Sequence, residues 1–260
     1  MNDLEIKIQR LEQHEDGQQA YCCMTEVPTP WPAALCACRD WMSQNLGRYV
    51  EGYHLRLAEG GVAGHLYYAP AERALIPYKV ERKVAVVYCE WVQQRYQKRG
   101  YGHFMFDTFF KDMETSGAKG VLVECTDIEG QMHMDHYLSR GFSVLLEQGH
   151  QKLLYRPISQ AEIKVEALQP QIRPRSGVPV EILVLSGYMC PYEVATLMLL
   201  PGVVKEFGKQ VVLRQIALTP ETLQDYGAAR GVFVNGRARL AGAETEEAIR
   251  RIILEEIEGG

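Results

Sequence analysis

The sequence predicts an α/β (α+β) protein in two parts, a mixed sheet flanked by helices and then a small α/β domain. Three observations carry this. From the start to about Tyr155, short β-runs and amphipathic runs follow in the order β, α, β, β, β, α, β, α, β, β. Ile158 to Pro179 then carries Pro170, Pro174 and Pro179 among Gln, Arg and Ser, the composition of a domain connection. A second series, β, α, β, α, β, β, α, follows it. The expected division is 1–157, a linker over 158–179, and 180–260.

Composition narrows the class. A chain of 260 residues is long enough for one large or two small domains. Its 47% hydrophobic and 23% charged residues are those of a soluble globular protein. A net charge of −5 gives no general pull toward nucleic acid. No apolar stretch reaches membrane-spanning length, and Met1-Asn-Asp-Leu-Glu-Ile-Lys7 lacks the basic-then-apolar order of a signal peptide. Seven scattered cysteines do not make a disulfide framework, so a reducing cytoplasm is expected.

Taken in order, Leu4 to Ile8 alternates as a first strand, and Glu12 to Gln19 is a loop or helix start. Pro28, Pro30 and Pro32 forbid regular structure after Met24. Ala33 to Leu46 reads as a helix with Leu35, Cys38, Trp41 (or Met42) and Leu46 on one face, stopped by Gly47. Tyr49–Leu57 and Val62–Tyr68 are β-runs joined through Glu59-Gly-Gly61, a hairpin signal. Pro70 to Lys79 is a loop. Val84 to Val92 is the central strand. A helix from Tyr101 to about Ser116 carries Phe104, Phe106, Phe109, Phe110 and Met113. Val121–Cys125 is a short buried strand, Gln131–Arg140 a helix ending at Gly141, and Phe142–Leu146 and Lys152–Tyr155 are strands. A further strand is expected at Ile163–Val165 within the linker. In the second part, Val180–Leu185, Val211–Ala217 and Val232–Val234 read as strands, the last leading into an Asn235-Gly236 turn. Tyr192–Phe207, Pro220–Tyr226 and Thr245–Glu256 read as helices, the last with Ala248, Ile249, Ile252, Ile253 and Ile257 inward.

The chemistry gathers at one junction. After the central strand comes Gln97-Lys-Arg-Gly100-Tyr-Gly102, and then a helix. Two glycines let the backbone approach a ligand and turn its N–H groups inward. The helix that follows opens with unsatisfied donors and a positive dipole end. Together these make a cradle for a pyrophosphate, with Arg95, Lys98 and Arg99 adding charge. A P-loop needs Lys-Ser/Thr after its glycines, and here His103 follows Gly102; a dinucleotide fingerprint needs three glycines.

Other groups have two readings. Glu90 lies within an apolar strand, where a carboxylate is costly unless paired or functional. Strict alternation puts it with Val86, Tyr88 and Val92 on one face, opposite Val87, Cys89 and Trp91. Partial burial would bring it toward the range of a general base; an open groove would leave it solvated. Glu124 is a second candidate. His133 and His136 sit near one helix face but have no third ligand, and read as a solvated edge. Cys22-Cys23 and Cys36-x-Cys38 lack a matching second pair, so no metal site is expected.

Q-x-x-G-x-G after a strand resembles motif A of the GNAT acyltransferase superfamily. The resemblance implies acetyl-CoA as cosubstrate, its pyrophosphate held by Gln97, Lys98, Arg99, Gly100, Tyr101, Gly102 and His103. It implies that Val92 offers backbone groups to the pantetheine arm, and that this strand splays from Val121–Cys125 to admit it. Asp135-His-Tyr137-Leu-Ser-Arg-Gly141-Phe142 resembles the family's Y-x-x-x-G-F ending, which implies Tyr137 as general acid to the leaving thiolate. The plainer alternative is a packed helix tyrosine. The implied reaction is direct attack of a primary amine on the thioester, with Glu90 as base and an unknown acceptor.

In the second part, Cys190-Pro-Tyr-Glu193 resembles the C-P-Y-C of glutaredoxins, and the element order resembles their fold. Glu193 stands where the resolving cysteine would be, and Arg230-Gly231 where a cis-proline is expected. The whole chain is similar to bacterial GNAT proteins with a YoaP-type, thioredoxin-like C-terminal domain. Cys190 at a helix start is either a thiol of lowered pKa or a small apolar residue in a degenerate site. The rival function is a non-catalytic CoA-binding or thiol-sensing protein using Cys190. The oligomeric state stays open.

Overall fold

The computed structural model describes residues 6–24, 31–129, 131–174, 177–187, 189–240 and 242–259. The elements are β1 (Ile6–Arg10), α1 (His14–Gln18), α2 (Pro32–Asn45), β2 (Glu51–Leu57), β3 (Val62–Pro70), β4 (Tyr78–Val80) and β5 (Val84–Val92). Then come α3 (Tyr101–Thr115), β6 (Gly120–Thr126), α4 (Met134–Leu138), β7 (Ser143–Gln148), β8 (Gln151–Pro157) and β9 (Val165–Ala167). The last third holds β10 (Val180–Ser186), α5 (Pro191–Glu206), β11 (Val211–Ala217), α6 (Pro220–Tyr226), β12 (Gly231–Val234), β13 (Arg237–Leu240) and α7 (Glu246–Glu258). The first expected strand runs to Arg10, and its expected start at Leu4 lies outside the described residues. The helix expected over Gln131–Arg140 is shorter, Met134–Leu138, because His133 is still extended at its N-cap.

Packing divides the chain into two compact units: residues 1–28, 43–74 and 80–166, and residues 29–42, 75–79 and 167–260. The second unit thus draws most of α2 from the N-terminal half of the sequence.

The first unit is built on a seven-stranded sheet in the order β1-β2-β3-β5-β6-β8-β7. Only β5 and β6 run parallel, because α3 carries the chain across between them; the other neighbours are antiparallel. Gly60 and Gly61 take φ of +94° and +85° in the β2–β3 turn, a region other residues avoid. The core lies between this sheet and α3. Met105, Phe106, Phe109, Phe110 and Met113 recur at helical spacing and are buried against Tyr53, Leu66, Tyr68 and Val87. Burying a side chain such as Phe109 contributes about 1.5–3 kcal/mol. Phe104, expected on this face, is 46% exposed, and Met105 takes the core position. The stripe falls on pairs of adjacent residues a turn apart, and Phe104 is off it.

The second unit has a four-stranded sheet in the order β11-β10-β12-β13. β10 and β11 are parallel, joined through α5; β12 is antiparallel to both β10 and β13. Asn235 and Gly236, at φ +48° and +78°, close the β12–β13 hairpin as the Asn-Gly pair requires. Buried acids here are paired: Glu181 with Arg214 at 2.8 Å, and Glu256 with Arg237 and Arg239 at 2.9 and 2.8 Å. Thr219 caps α6 and Thr245 caps α7, each accepting a backbone N–H. Among the described residues, no helix is long and apolar enough to cross a membrane.

Candidate functional site

The site is where β5 leaves β6. The two strands pair over Val84–Val87 and Gly120–Val123 and no further. β5 goes on pairing with β3 as far as Val92, and β6 goes on with β8 as far as Thr126. The parallel pair therefore opens toward its C-terminal ends, and a cavity of about 440 Å³ lies there. Gln93 N–H bonds to Ala63 of β3. By the alternation of an antiparallel strand, the amide groups of Glu90 and Val92 then turn the other way, into the gap.

A bulge shapes β5 just before the opening. Tyr68 faces Val87 and Tyr67 faces Cys89, so Tyr88 has no residue opposite. This overturns the strict alternation expected from the sequence. Val87 and Val92 share the core on the α3 side, and Cys89 turns to His65 at 3.4 Å. Glu90 ends on the cavity side, buried to 7% exposure rather than solvated. The extra residue resets the period, and no local propensity announces it.

The turn after β5 is tied back to it. Gln97 donates its side-chain amide to the Val92 carbonyl at 2.8 Å. Lys98 and Gly100 both take positive φ, +60° and +81°, and Gly100 is the N-cap of α3. The first N–H of α3 to bond within the helix is that of Phe104, to Gly100. The N–H groups of Tyr101, Gly102 and His103 are thus left at the helix's positive end, beside the cavity that all three line. A Cβ at Gly102 would come within 3.3 Å of both Glu90 Oε1 and Arg140 Nη2. That glycine brings the helix start against the buried carboxylate.

Of the site residues expected from the sequence, Glu90, Val92, Gln97, Lys98, Gly100, Tyr101, Gly102, His103 and Tyr137 line this cavity. Arg99 instead lies over the Tyr96 ring at 5.9 Å, and Arg95 stacks on the same ring at 4.9 Å. Glu124 does not line it. Tyr137 is 1% exposed, and burial first, then the charge of Glu90, holds its phenol well above the ordinary 10.0. It is therefore a protonated donor at neutral pH.

Sequence reasoning did not assign His136 and Arg140 to the site. His136, read as a solvated edge, brings Nε2 within 2.9 Å of Glu90 Oε2. His133 does something else: it caps α4, its Nδ1 accepting the Asp135 N–H at 3.3 Å. Arg140 donates to the His136 carbonyl at 2.5 Å and lies 5.0 Å over Phe106. The signal present was the i, i+4 spacing of His136 and Arg140 around Tyr137, which places them together only once α4 is set against β5. Trp91 Nε1, His136 Nε2 and Arg140 Nε are buried with no aligned hydrogen-bond partner among the described residues, and all three residues line the cavity. Orphaned buried polar atoms on one cavity mark a place for a polar ligand.

In the second unit, Cys190 is the N-cap of α5, with Pro191 at its first position. Burial and the neighbouring Glu193 push its thiol up, against the lowering that a helix start would give. Arg230 pairs with Glu193 at 3.4 Å.

No protein-family model matches the sequence, and no curated protein does. Solved structures of GNAT-fold N-acetyltransferases align with about 60% of the chain. An acetyltransferase from Thermus thermophilus is 14% identical, covering 61% of this chain and 100% of its own, with a TM-score of 0.46. The ribosomal-protein-S18-alanine N-acetyltransferase of Escherichia coli is 18% identical, covering 61% and 97%, at 0.45. The PaiA N-acetyltransferase of Thermoplasma acidophilum, solved with coenzyme A, is 13% identical, covering 60% and 100%, at 0.42.

Proposed function

We propose that the first unit is an N-acetyltransferase of GNAT type that moves an acetyl group from acetyl-CoA to a primary amine. One observation carries this reading: a single cavity, opened by the parting of β5 and β6, holds a helix N-terminus with free donors and a buried carboxylate with a protonated phenol. The chemistry of an acyl transfer from a phosphate-bearing thioester asks for those groups.

Each residue then has a role. The N–H groups of Tyr101, Gly102 and His103 receive the pyrophosphate, with Gln97 setting the turn and Lys98 adding charge. Gly100 supplies the left-handed cap that aims those donors. The backbone of β5 at Val92 faces the pantetheine arm. Tyr137 gives its proton to the departing thiolate, and its raised pKa keeps that proton in place at neutral pH. Glu90 is the negative charge on the acceptor side and serves deprotonation of the amine. Acetyl-CoA, when bound, supplies the activated acyl group.

For the second unit we adopt the thioredoxin-like, YoaP-type reading. Its β-α-β-α-β-β-α order and its central parallel pair support that. We assign it a role in acceptor choice rather than thiol chemistry. The thiol of its Cys-Pro-Tyr-Glu motif, Cys190, is half-buried, raised in pKa and has Glu193 where a second cysteine would be needed. This argues against the rival thiol-sensing reading. The experiment that tests the function is calorimetric titration of the purified chain with acetyl-CoA, followed by thiol release with a panel of primary amines. Absence of acetyl-CoA binding refutes it.

A further inference from the structure

The geometry points to His136 as the proton acceptor for the attacking amine, with Glu90 behind it. The acceptor is then an amine that arrives as an ammonium ion. This inference rests on the transferase reading above and goes past it, because that reading leaves Glu90 alone to face the acceptor.

The observations are geometric. Glu90 is 7% exposed, whereas the His136 side chain keeps 37% of its surface, so the imidazole is the more accessible of the two. Their atoms approach to 2.9 Å, yet His136 Nε2 forms no aligned hydrogen bond. Nε2 is buried against the carboxylate, and Nδ1, which has no partner among the described residues, is the nitrogen left to take a proton. Histidine is the side chain whose ordinary titration lies nearest neutrality, which suits it to exchange a proton with an amine. The groups facing it are Glu90 from β5, His103 and Phe106 from α3, and His133, Tyr137 and Arg140 from its own segment. Arg140 is the one fixed cation among them; its Nη1 donates to the His136 carbonyl, and its Nη2 lies on the Gly102 side with Glu90 Oε1.

The proton balance closes without any further reactant. One ammonium proton passes to His136 Nδ1, while Nε2 stays against Glu90. The C–N bond forms and the C–S bond breaks. The leaving sulfur takes the Tyr137 proton, and the attacking nitrogen's second proton restores the phenol. His136 returns its proton to solvent.

The test compares wild type with His136→Gln in the full chain, at saturating acetyl-CoA. Two nucleophiles are used: an alkylamine, which is protonated at neutral pH, and hydroxylamine, which is already neutral there. Acetyl-CoA affinity is measured alongside by calorimetry. We expect unchanged affinity, an alkylamine rate at least about 100-fold lower with its acid-side pH dependence altered, and a hydroxylamine rate within a few fold of wild type. Equal loss with both nucleophiles would mean a merely structural role and overturn the inference. So would a wild-type alkylamine rate with an unchanged pH profile. A wild type that fails to bind acetyl-CoA would instead bring down the transferase reading itself, so the two failures are told apart.

Discussion

Replacing Gly100 by glutamate separates the anion cradle from the fold that carries it. Gly100 sits at φ +81°, and a Cβ there would meet nothing within 4 Å. The variant therefore suffers no clash. A residue with a Cβ in the left-handed region is strained by about 1–2 kcal/mol. A carboxylate at a helix N-terminus returns roughly 0.3–1 kcal/mol of that. The net loss is about 1 kcal/mol, which lowers Tm by about 2–4 °C in a chain of this size. Binding is affected far more. A unit charge held about 5 Å from a phosphate charge costs roughly 3 kcal/mol at an effective dielectric constant of about 20. That exceeds a loss of affinity of about 100-fold. Calorimetry of acetyl-CoA binding and a thermal melt read the two effects separately. Gly100→Ala is the control: it keeps the strain, lacks the dipole compensation and adds no charge, so it should melt slightly lower and still bind. A folded Gly100→Glu protein that binds acetyl-CoA with wild-type affinity would refute the placement of the pyrophosphate at the start of α3.

Four further outcomes are expected. Tyr137→Phe should lower acetyl transfer by about 100-fold or more with acetyl-CoA affinity intact, since only the proton donor is lost; because the phenol's pKa lies well above 10.0, its ionisation should cause no alkaline loss of wild-type rate below that pH. Glu81, bonded to Lys119 at 2.6 Å, has its carboxyl depressed from 4.5 to about 2. Its contribution is present above 4.5 and fades as pH falls toward 2, so the stability difference between wild type and Glu81→Gln, measured by denaturant melts, should close over that range. Cys190 should react with iodoacetamide more slowly than a free thiol at the same pH, because burial and Glu193 disfavour the thiolate; fast alkylation would revive the thiol-based rival. Cys190→Ser should leave acetyl transfer unchanged.

Much of the site was legible without coordinates because its grammar is local. A β-branched run, two glycines and an amphipathic run determine a strand, a left-handed turn and a helix start, and these three make the donors point one way. The same holds for the second unit, where Cys190-Pro191, Thr219-Pro220 and Asn235-Gly236 mark element boundaries through their own backbone preferences. Residues whose role depends on distant neighbours behaved differently. The bulge at Tyr88 decides which side chains of β5 enter the cavity, and it is set by pairing with β3 rather than by any residue preference. Arg99 has the charge expected of a cradle residue, but stacking on Tyr96 takes it off the cavity wall. The placing of α2 residues with the C-terminal sheet has no local sign either.

His136 shows the division most plainly. By sequence it is a polar residue on a helix, and its neighbours one turn away give it no task. Far upstream, Glu90 is an acid in an apolar strand, a cost without a stated return. Local chemistry determined the strand, the glycine turn, the helix dipole and the phenol before Gly141. The tertiary structure alone decided that β5 and β6 part, that α4 lies across the gap, and that an imidazole and a carboxylate meet there at 2.9 Å. The reason is physical: backbone preferences act within a turn or two of chain, whereas the meeting of charged groups depends on strand register and helix packing, which the whole core sets.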